Sequence, residues 1–172
     1  MLTWLRRRSP TGQTATKLYG HVVAQARSTV LYASYHVPDT AEGRFEMIVL
    51  HLFMSLERLR AEGEAGQALG QALLETFVTD MDDAMREFGI GDLGVPRRIK
   101  KTTAAVAERV EDYRAALAAP DDAPMQRALA KHIALDPADA SRLATYARAA
   151  ARALARAEPT RILAGEIAFP QP

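Results

Sequence analysis

The spacing of apolar residues most constrains this chain, because it follows a helical period along nearly every long segment. One such stripe consists of Val95, Ile99, Val106, Val110, Tyr113 and Leu117. Residues three, four or seven positions apart share one face of an α-helix. The two-residue alternation of a half-buried strand, and the hairpin turns that join such strands, are absent from the sequence. The sequence therefore predicts an all-α protein.

Proline, glycine and capping residues divide the chain into about six predicted helices. These cover residues 14–35, 39–63, 64–88, 96–117, 125–135 and 136–154. Asp39 with Glu42 is expected to form a capping box, Pro96 to open the fourth helix and Asp136 to cap the sixth. Residues 161–169 fit either a last helical turn or an extended tail. At 172 residues with short connections, the chain suits a single-domain bundle.

We predict a flexible basic tail over residues 1–12 and the helical domain over residues 13–168. The tail contains Leu2, Trp4 and Leu5, followed by Arg6–Arg8. A secretory signal has the opposite order and a longer apolar core. The segment is therefore interpreted either as a solvated tail or as a weak foot on an anionic membrane surface.

Eight apolar side chains from the middle helices are expected to form the core. They are Phe45, Leu52, Leu56, Phe77, Met81, Ile99, Val106 and Val110. They fall on the inward stripes of the second, third and fourth predicted helices. The prediction therefore places the centre of the bundle where those three helices meet.

Composition and motifs disfavour several functional classes. The 22 basic and 21 acidic side chains nearly cancel, so no whole-protein field favours DNA binding. Without cysteine, thiol catalysis and thiolate metal sites are excluded, and the four histidines form no metal-binding motif. The run Gly89–Gly94 spells GxGxxG, but an amphipathic helix precedes it where a dinucleotide site needs a strand. We expect no enzyme activity, cofactor or metal.

Two charge clusters oppose the helix dipole, which favours anions at a helix N-terminus and cations at its C-terminus. The acidic cluster, at the end of the third helix, contains Asp80, Asp82, Asp83 and Glu87, and the basic cluster opening the fourth contains Arg97, Arg98, Lys100 and Lys101. Together with Asp92 between them, we call these residues the two-signed patch. The two clusters could pair across the hairpin or form a docking surface for another protein. Arg148, Arg152 and Arg156 are interpreted as a solvated face.

A family resemblance is carried by the same part of the chain. The run Phe77–Lys101, FVTDMDDAMREFGIGDLGVPRRIKK, resembles the signature of ubiquinol–cytochrome c chaperones. Leu50–Phe53 and Arg58–Arg60 are similar to a second block of that family. Arg109 and Tyr113 match later positions, whereas Glu108 stands where a glycine is expected. The resemblance covers about Phe45 to Leu117.

The resemblance implies a helical, non-enzymatic factor for assembly of the cytochrome bc1 complex. Its client would be newly made cytochrome b or another bc1 subunit. Mitochondrial relatives act at the inner membrane and can contact the ribosome. This chain looks like a bacterial counterpart, which we expect in the cytoplasm and partly at the bacterial inner membrane.

Two alternatives stay open. One is an adaptor that binds anionic membrane or ribosomal RNA surfaces through its basic clusters. The other is a cofactor enzyme that uses the glycine-rich loop.

Overall fold

The computed structural model describes residues 9–87 and 95–172, and the side chains of residues 85–87 and 95–99 are outside this description. No β-strand occurs in the described residues. The helices are α1 (Pro10–Ala26), α2 (Thr29–Ala33), α3 (Ala41–Arg60), α4 (Gly63–Glu87), α5 (Val95–Ala118), α6 (Ala123–His132), α7 (Pro137–Ala155) and α8 (Pro159–Leu163). The predicted all-α fold is thus confirmed. The division into residues 1–12 and 13–168 stays a prediction, although α1 already begins at Pro10.

Helix α3 lies at the centre of the bundle. It contacts α1, α4, α5 and α7, whereas α6 packs between α5 and α7. Every residue from Val49 to Ser55 is buried. Such a helix has no solvent-facing stripe along this stretch, which is the pattern of a helix surrounded by others. The remaining helices are positioned largely by their contact with it.

The first predicted helix is interrupted, so the expectation of one helix over residues 14–35 was wrong. Helix α1 ends at Ala26, and the chain turns through Arg27 and Ser28 into the short α2. The Tyr32 hydroxyl donates to the Ala26 carbonyl oxygen at 2.6 Å and satisfies one of the carbonyls left open at the end of α1. The apolar spacing Ala26, Val30 and Ala33 continues across the break and hid the turn, although Leu31 is the buried residue of α2.

The predicted helix caps are partly correct. The cap of α3 is Thr40, whose Oγ1 accepts a hydrogen bond from the Gly43 backbone N–H at 3.1 Å. Asp39, expected to cap this helix, instead accepts from Arg44 Nε at 2.6 Å. Asp136 caps α7 as predicted and accepts from the backbone N–H of residue 139 at 2.9 Å. Thr40 competes successfully because its shorter side chain stands one residue nearer the first turn.

The core contains most of the side chains expected there. Leu52, Phe77 and Val106 are buried as predicted. The half-buried members, which pack against the core from its edge, are Phe45, Leu56, Met81 and Val110. The Ile99 side chain lies outside the described residues. The three helices therefore meet as expected, with several inward stripes reaching the rim of the core.

The C-terminal residues combine both predicted alternatives, since α8 is followed by an extended tail. Ile162 of α8 and Ile167 of the tail are buried. Further along, Phe169 packs edge-on against the His51 ring at a centroid distance of 5.1 Å. The Pro170 carbonyl oxygen accepts a hydrogen bond from Gln25 Nε2 at 2.9 Å. The tail is thereby fixed across the C-terminal end of α1 and the middle of α3.

His51 lies at the centre of a buried hydrogen-bond chain. Its Nδ1 lies 2.7 Å from the Met47 carbonyl oxygen, which can only accept, so Nδ1 carries the proton. Its Nε2 lies 2.9 Å from the Tyr146 hydroxyl, and the oxygen of that hydroxyl accepts a hydrogen bond from Gln25 Nε2 at 2.8 Å. The Tyr146 proton is therefore directed at His51. The neutral imidazole therefore accepts at Nε2. Burial lowers the pKa of His51 to about 4.

We predict that His51 makes the fold sensitive to mild acid. The unfolded chain binds this proton near pH 6.5 and the folded chain only near pH 4. Stability should therefore fall as pH decreases through this range, by on the order of 3 kcal/mol. His51→Gln removes this proton uptake, so the stability advantage of the wild type should shrink from pH 7 to pH 4. Urea unfolding at several pH values measures it, and a constant difference would contradict it.

Candidate functional site

An apolar groove runs along the outer face of α4, between the first turn of α1 and the middle of α5. Its volume is about 760 Å³. Ala68, Ala72, Leu74 and Val78 line it on α4, and Val106 lines it on α5. Leu74 and Val78 are only half-buried. This size is typical of a site that takes several side chains of a ligand.

Aromatic side chains support the floor of the groove. Phe77 lines it and is buried, with ring centroids 6.3 Å from Phe45 and 6.4 Å from Tyr19. The Tyr19 hydroxyl donates to Asp80 Oδ2 at 2.7 Å. Burial, together with this hydrogen bond, raises the pKa of Tyr19, so the phenol stays protonated and remains a donor. This cluster fixes α1 against α4 along the groove.

A buried ion pair holds the opposite wall. Arg109 of α5 binds Glu46 of α3 in a bidentate manner, at 2.6 Å from Nη2 to Oε1 and 2.7 Å from Nε to Oε2. Glu46 is 5% exposed. The hydrogen bonds with Glu46 raise the pKa of Arg109, and its guanidinium also lies 5.9 Å from the Phe45 ring centroid. Because Val106 is one turn away, this pair sets the position of α5 at the groove.

The described members of the two-signed patch lie on α4 and α5, the helices that carry the groove. Asp80 and Asp83 are exposed on α4, and Asp82 is half-buried. Lys100 and Lys101 are exposed on α5. Asp80 also has an internal role, because it accepts the Tyr19 hydrogen bond. The patch is therefore partly structural and partly open to solvent.

The other members of the patch fall outside the description. Glu87 lies in the last turn of α4, and Arg97 and Arg98 lie in the first turn of α5, with side chains that are not described. Asp92 lies in the segment 88–94. Whether the acidic and basic clusters pair therefore stays a prediction. The GxGxxG run falls in the same segment, and the element before it is the helix α4, not the strand that a dinucleotide site requires.

Arg148 corrects one prediction, because it does not belong to a solvated face. Its guanidinium side chain is 11% exposed and pairs with Asp122 at 2.9 Å. It also donates to the carbonyl oxygens of Ala116 and Ala119, which lie at the C-terminal end of α5. A cation there offsets the helix dipole. Arg152 and Arg156 are exposed, as expected.

Several residues of the family resemblance serve the fold. Tyr113 is fully buried against Phe53, with ring centroids 5.6 Å apart. Arg58 is buried and donates to the Ala157 carbonyl oxygen at 2.8 Å, which ties α3 to the end of α7. Glu108, the departure from the family pattern, is exposed and pairs with Lys131 at 2.8 Å. The glutamate therefore fits without entering the core.

Sequence reasoning missed the groove and the Glu46–Arg109 pair. Each depends on side chains brought together from different helices. The available signals were weak: Glu46 interrupts the apolar part of the second predicted helix, and Ala68 and Ala72 leave small residues one turn apart. A carboxylate in a buried stretch indicates a partner elsewhere in the chain but does not identify it.

Comparison with known proteins gives two matches. The model of the family described as ubiquinol–cytochrome C chaperone matches residues 33–169. The crystal structure of the Cbp3 homolog from Brucella abortus is similar over 99% of this chain and 97% of that chain, with 36% sequence identity and a TM-score of 0.86. No curated protein matches the sequence significantly. The family match thus extends beyond both ends of the segment in which the resemblance was expected.

None of the described helices is both long enough and apolar enough to cross a bilayer.

We predict that Glu46 and Arg109 stabilise the fold only as a pair, because either charge alone is costly to bury. Arg109→Met leaves the Glu46 carboxylate buried without its partner and should lower the free energy of unfolding by about 3–5 kcal/mol. The double variant Glu46→Leu with Arg109→Met should recover most of this loss. Lys17→Met, which breaks the exposed pair with Glu166, is the control and should cost no more than about 1 kcal/mol. Urea unfolding measures these losses. Equal losses of stability in Arg109→Met and Lys17→Met would contradict the prediction.

Proposed function

The chain belongs to the ubiquinol–cytochrome c chaperone family, and from this premise we propose that it holds newly made cytochrome b during assembly of the cytochrome bc1 complex. The family supports a chaperone role, with a bc1 subunit as client. The choice of cytochrome b, and the site that binds it, are our proposal. The proposal includes no reaction catalysed by this chain.

The observation that carries the proposal is the apolar groove on α4. A subunit destined for the inner membrane contains apolar segments of about 20 residues, which aggregate in water unless they are covered. The groove offers half-buried Leu74 and Val78 above the buried Phe77, in a volume of about 760 Å³. It covers part of one such segment, as expected for a holding site that later releases its client.

The two-signed patch has a separate role in the proposal. Lys100 and Lys101 are exposed on the helix that forms one wall of the groove, and Asp83 is exposed on the helix that forms its floor. Charges beside an apolar site accelerate encounter and fix register more than they add affinity. We propose that the patch orients the loops that flank the client's apolar segment.

The proposed place of action is the cytoplasmic side of the inner membrane. There the chain would meet cytochrome b as the client leaves the ribosome. A peripheral contact with the membrane or the ribosome belongs to the proposal, with the exposed basic side chains as candidates for it.

We predict that the groove lies against the client in cells. A photo-crosslinking amino acid at Thr103, which is exposed and lines the groove, should capture cytochrome b. The same group at Ala130, exposed on α6 and outside the groove, should not. Equal capture at both positions, or capture of ribosomal RNA alone at Thr103, would reject the groove as the client site. The second result would favour an adaptor for anionic surfaces.

We predict that charge reversal in the basic cluster blocks assembly without unfolding the protein. Replacing Arg97, Arg98, Lys100 and Lys101 by glutamate puts anions in the first turns of α5, where the helix dipole favours them. The fold should persist, while client binding weakens and the cytochrome bc1 complex is lost from cells. Arg152→Glu with Arg156→Glu reverses two exposed charges at the C-terminal end of α7 and serves as the control.

Two results of this experiment would contradict the docking role. Unfolding of the variant, seen by circular dichroism, would mean that the basic cluster is a structural partner of the acidic one. Normal assembly of the complex would mean that the docking surface lies elsewhere.

A further inference from the structure

The chain enters the groove region at Ser9. Ser9, Thr11 and Gly12 all line the groove. The Ser9 hydroxyl caps α1 by accepting a hydrogen bond from the Gly12 backbone N–H at 3.0 Å, and its own backbone is extended, with φ −64° and ψ 151°. The residues before Ser9 therefore start at the wall of the groove. Any segment attached there is present at a high effective concentration, of millimolar order for a short tether.

The segment attached at that point has the composition of a groove ligand. Met1–Leu5 contains Leu2, Trp4 and Leu5, and Trp4 is the single tryptophan of the chain. Aromatic and aliphatic side chains of this kind are the usual anchors of an apolar site. In water they would remain as an exposed apolar cluster next to an apolar surface that is itself exposed.

The segment Met1–Arg8 also matches the groove in length and in charge. The lining of α4 extends from Ala68 to Thr79, about 16 Å at the helical rise per residue. Eight residues span about 12 Å when helical and at most about 29 Å when extended. Among the described lining residues, Glu75 is the one charged side chain. Arg6–Arg8 carry the opposite charge.

We propose that Met1–Arg8 docks in the apolar groove of its own chain and occupies the client site until the client displaces it. The inference rests on the proposed function, because it gives that same site a built-in competitor. Occupation by the chain's own segment keeps the groove from binding other apolar peptides before the client arrives. It places Trp4 in the groove, whereas the membrane interpretation of the tail places it at the membrane surface.

The single tryptophan makes the test direct, in purified full-length protein without client. Trp4 emission should lie at a shorter wavelength than that of a free peptide, and acrylamide should quench it severalfold less. Ala68→Arg with Ala72→Arg fills the groove floor with charge and should move both readings to those of exposed tryptophan. Ala130→Arg with Ala153→Arg, on exposed positions of α6 and α7, adds the same charge elsewhere and should change neither reading.

Three outcomes would overturn the inference. Trp4 could be solvent-exposed in the free protein and shielded only by vesicles containing anionic lipid, which would establish the membrane foot. It could be shielded equally in the groove and control variants, so that it packs elsewhere. Its shielding could be lost on dilution, so that the occupant is a second copy. Circular dichroism verifies that each variant folds. If the groove variant does not fold, the wild type alone still tests the proposal, because quenching of Trp4 as strong as in a free peptide would reject it.

The competition with the client is measured separately. The probe is a labelled peptide made from one membrane segment of cytochrome b. If Met1–Arg8 occupies the groove about nine-tenths of the time, deleting it should tighten peptide binding about tenfold. Unchanged affinity in the deletion variant would reject the competition. Crosslinking from Thr103 decides independently whether the groove binds client, so the two proposals can fail separately.

Discussion

The burial of α3 on nearly all sides is the constraint on which the rest of the structure depends. The fully buried run Val49–Ser55 can be satisfied only by helices on every side, and α1, α4, α5 and α7 supply them. Polar groups inside this environment need specific partners, since an unpaired one is costly there. Glu46 therefore fixes Arg109, and His51 fixes Tyr146 and, through the Phe169 ring, the C-terminal tail. These pairings select one arrangement of helices from those that hydrophobic burial alone would allow.

The position of the apolar groove follows indirectly from this arrangement of helices. Helix α4 uses one face to pack on α3 and α1, and its outer face is left between the walls that α1 and α5 provide. The stable centre determines the distance between those walls through buried contacts. Apart from Gly12 and the buried Phe77 and Val106, the lining consists of residues that are half-buried or exposed. A groove built in this way can vary its lining while the scaffold stays the same.

The sequence predicted the class and the order of the helices because their periods and caps are local signals. It failed at Arg27–Ser28, where the Tyr32 hydroxyl binds the open Ala26 carbonyl oxygen at the end of α1 while the apolar pattern continues along the chain. It also misjudged Arg148, whose role depends on carbonyl groups 32 and 29 residues away in sequence. The groove escaped for the same reason, since three separated segments form it. Only the charged residues of the candidate site could be named in advance, because charge clusters are visible without knowing which helices meet.

The C-terminal tail has a consequence for the order in which this protein matures. Residues 166–172 are synthesised after all the helices that they cover, so the contacts of Phe169 with His51 and of Pro170 with Gln25 are among the last that the growing chain can make. Until then, the imidazole and the Tyr146 hydroxyl face water along one side. The His51 side of the interior can therefore be closed only once residues 166–172 have been made. A fusion partner placed directly after Pro172 would act on this closing step, whereas one placed on the exposed side of α6 would not.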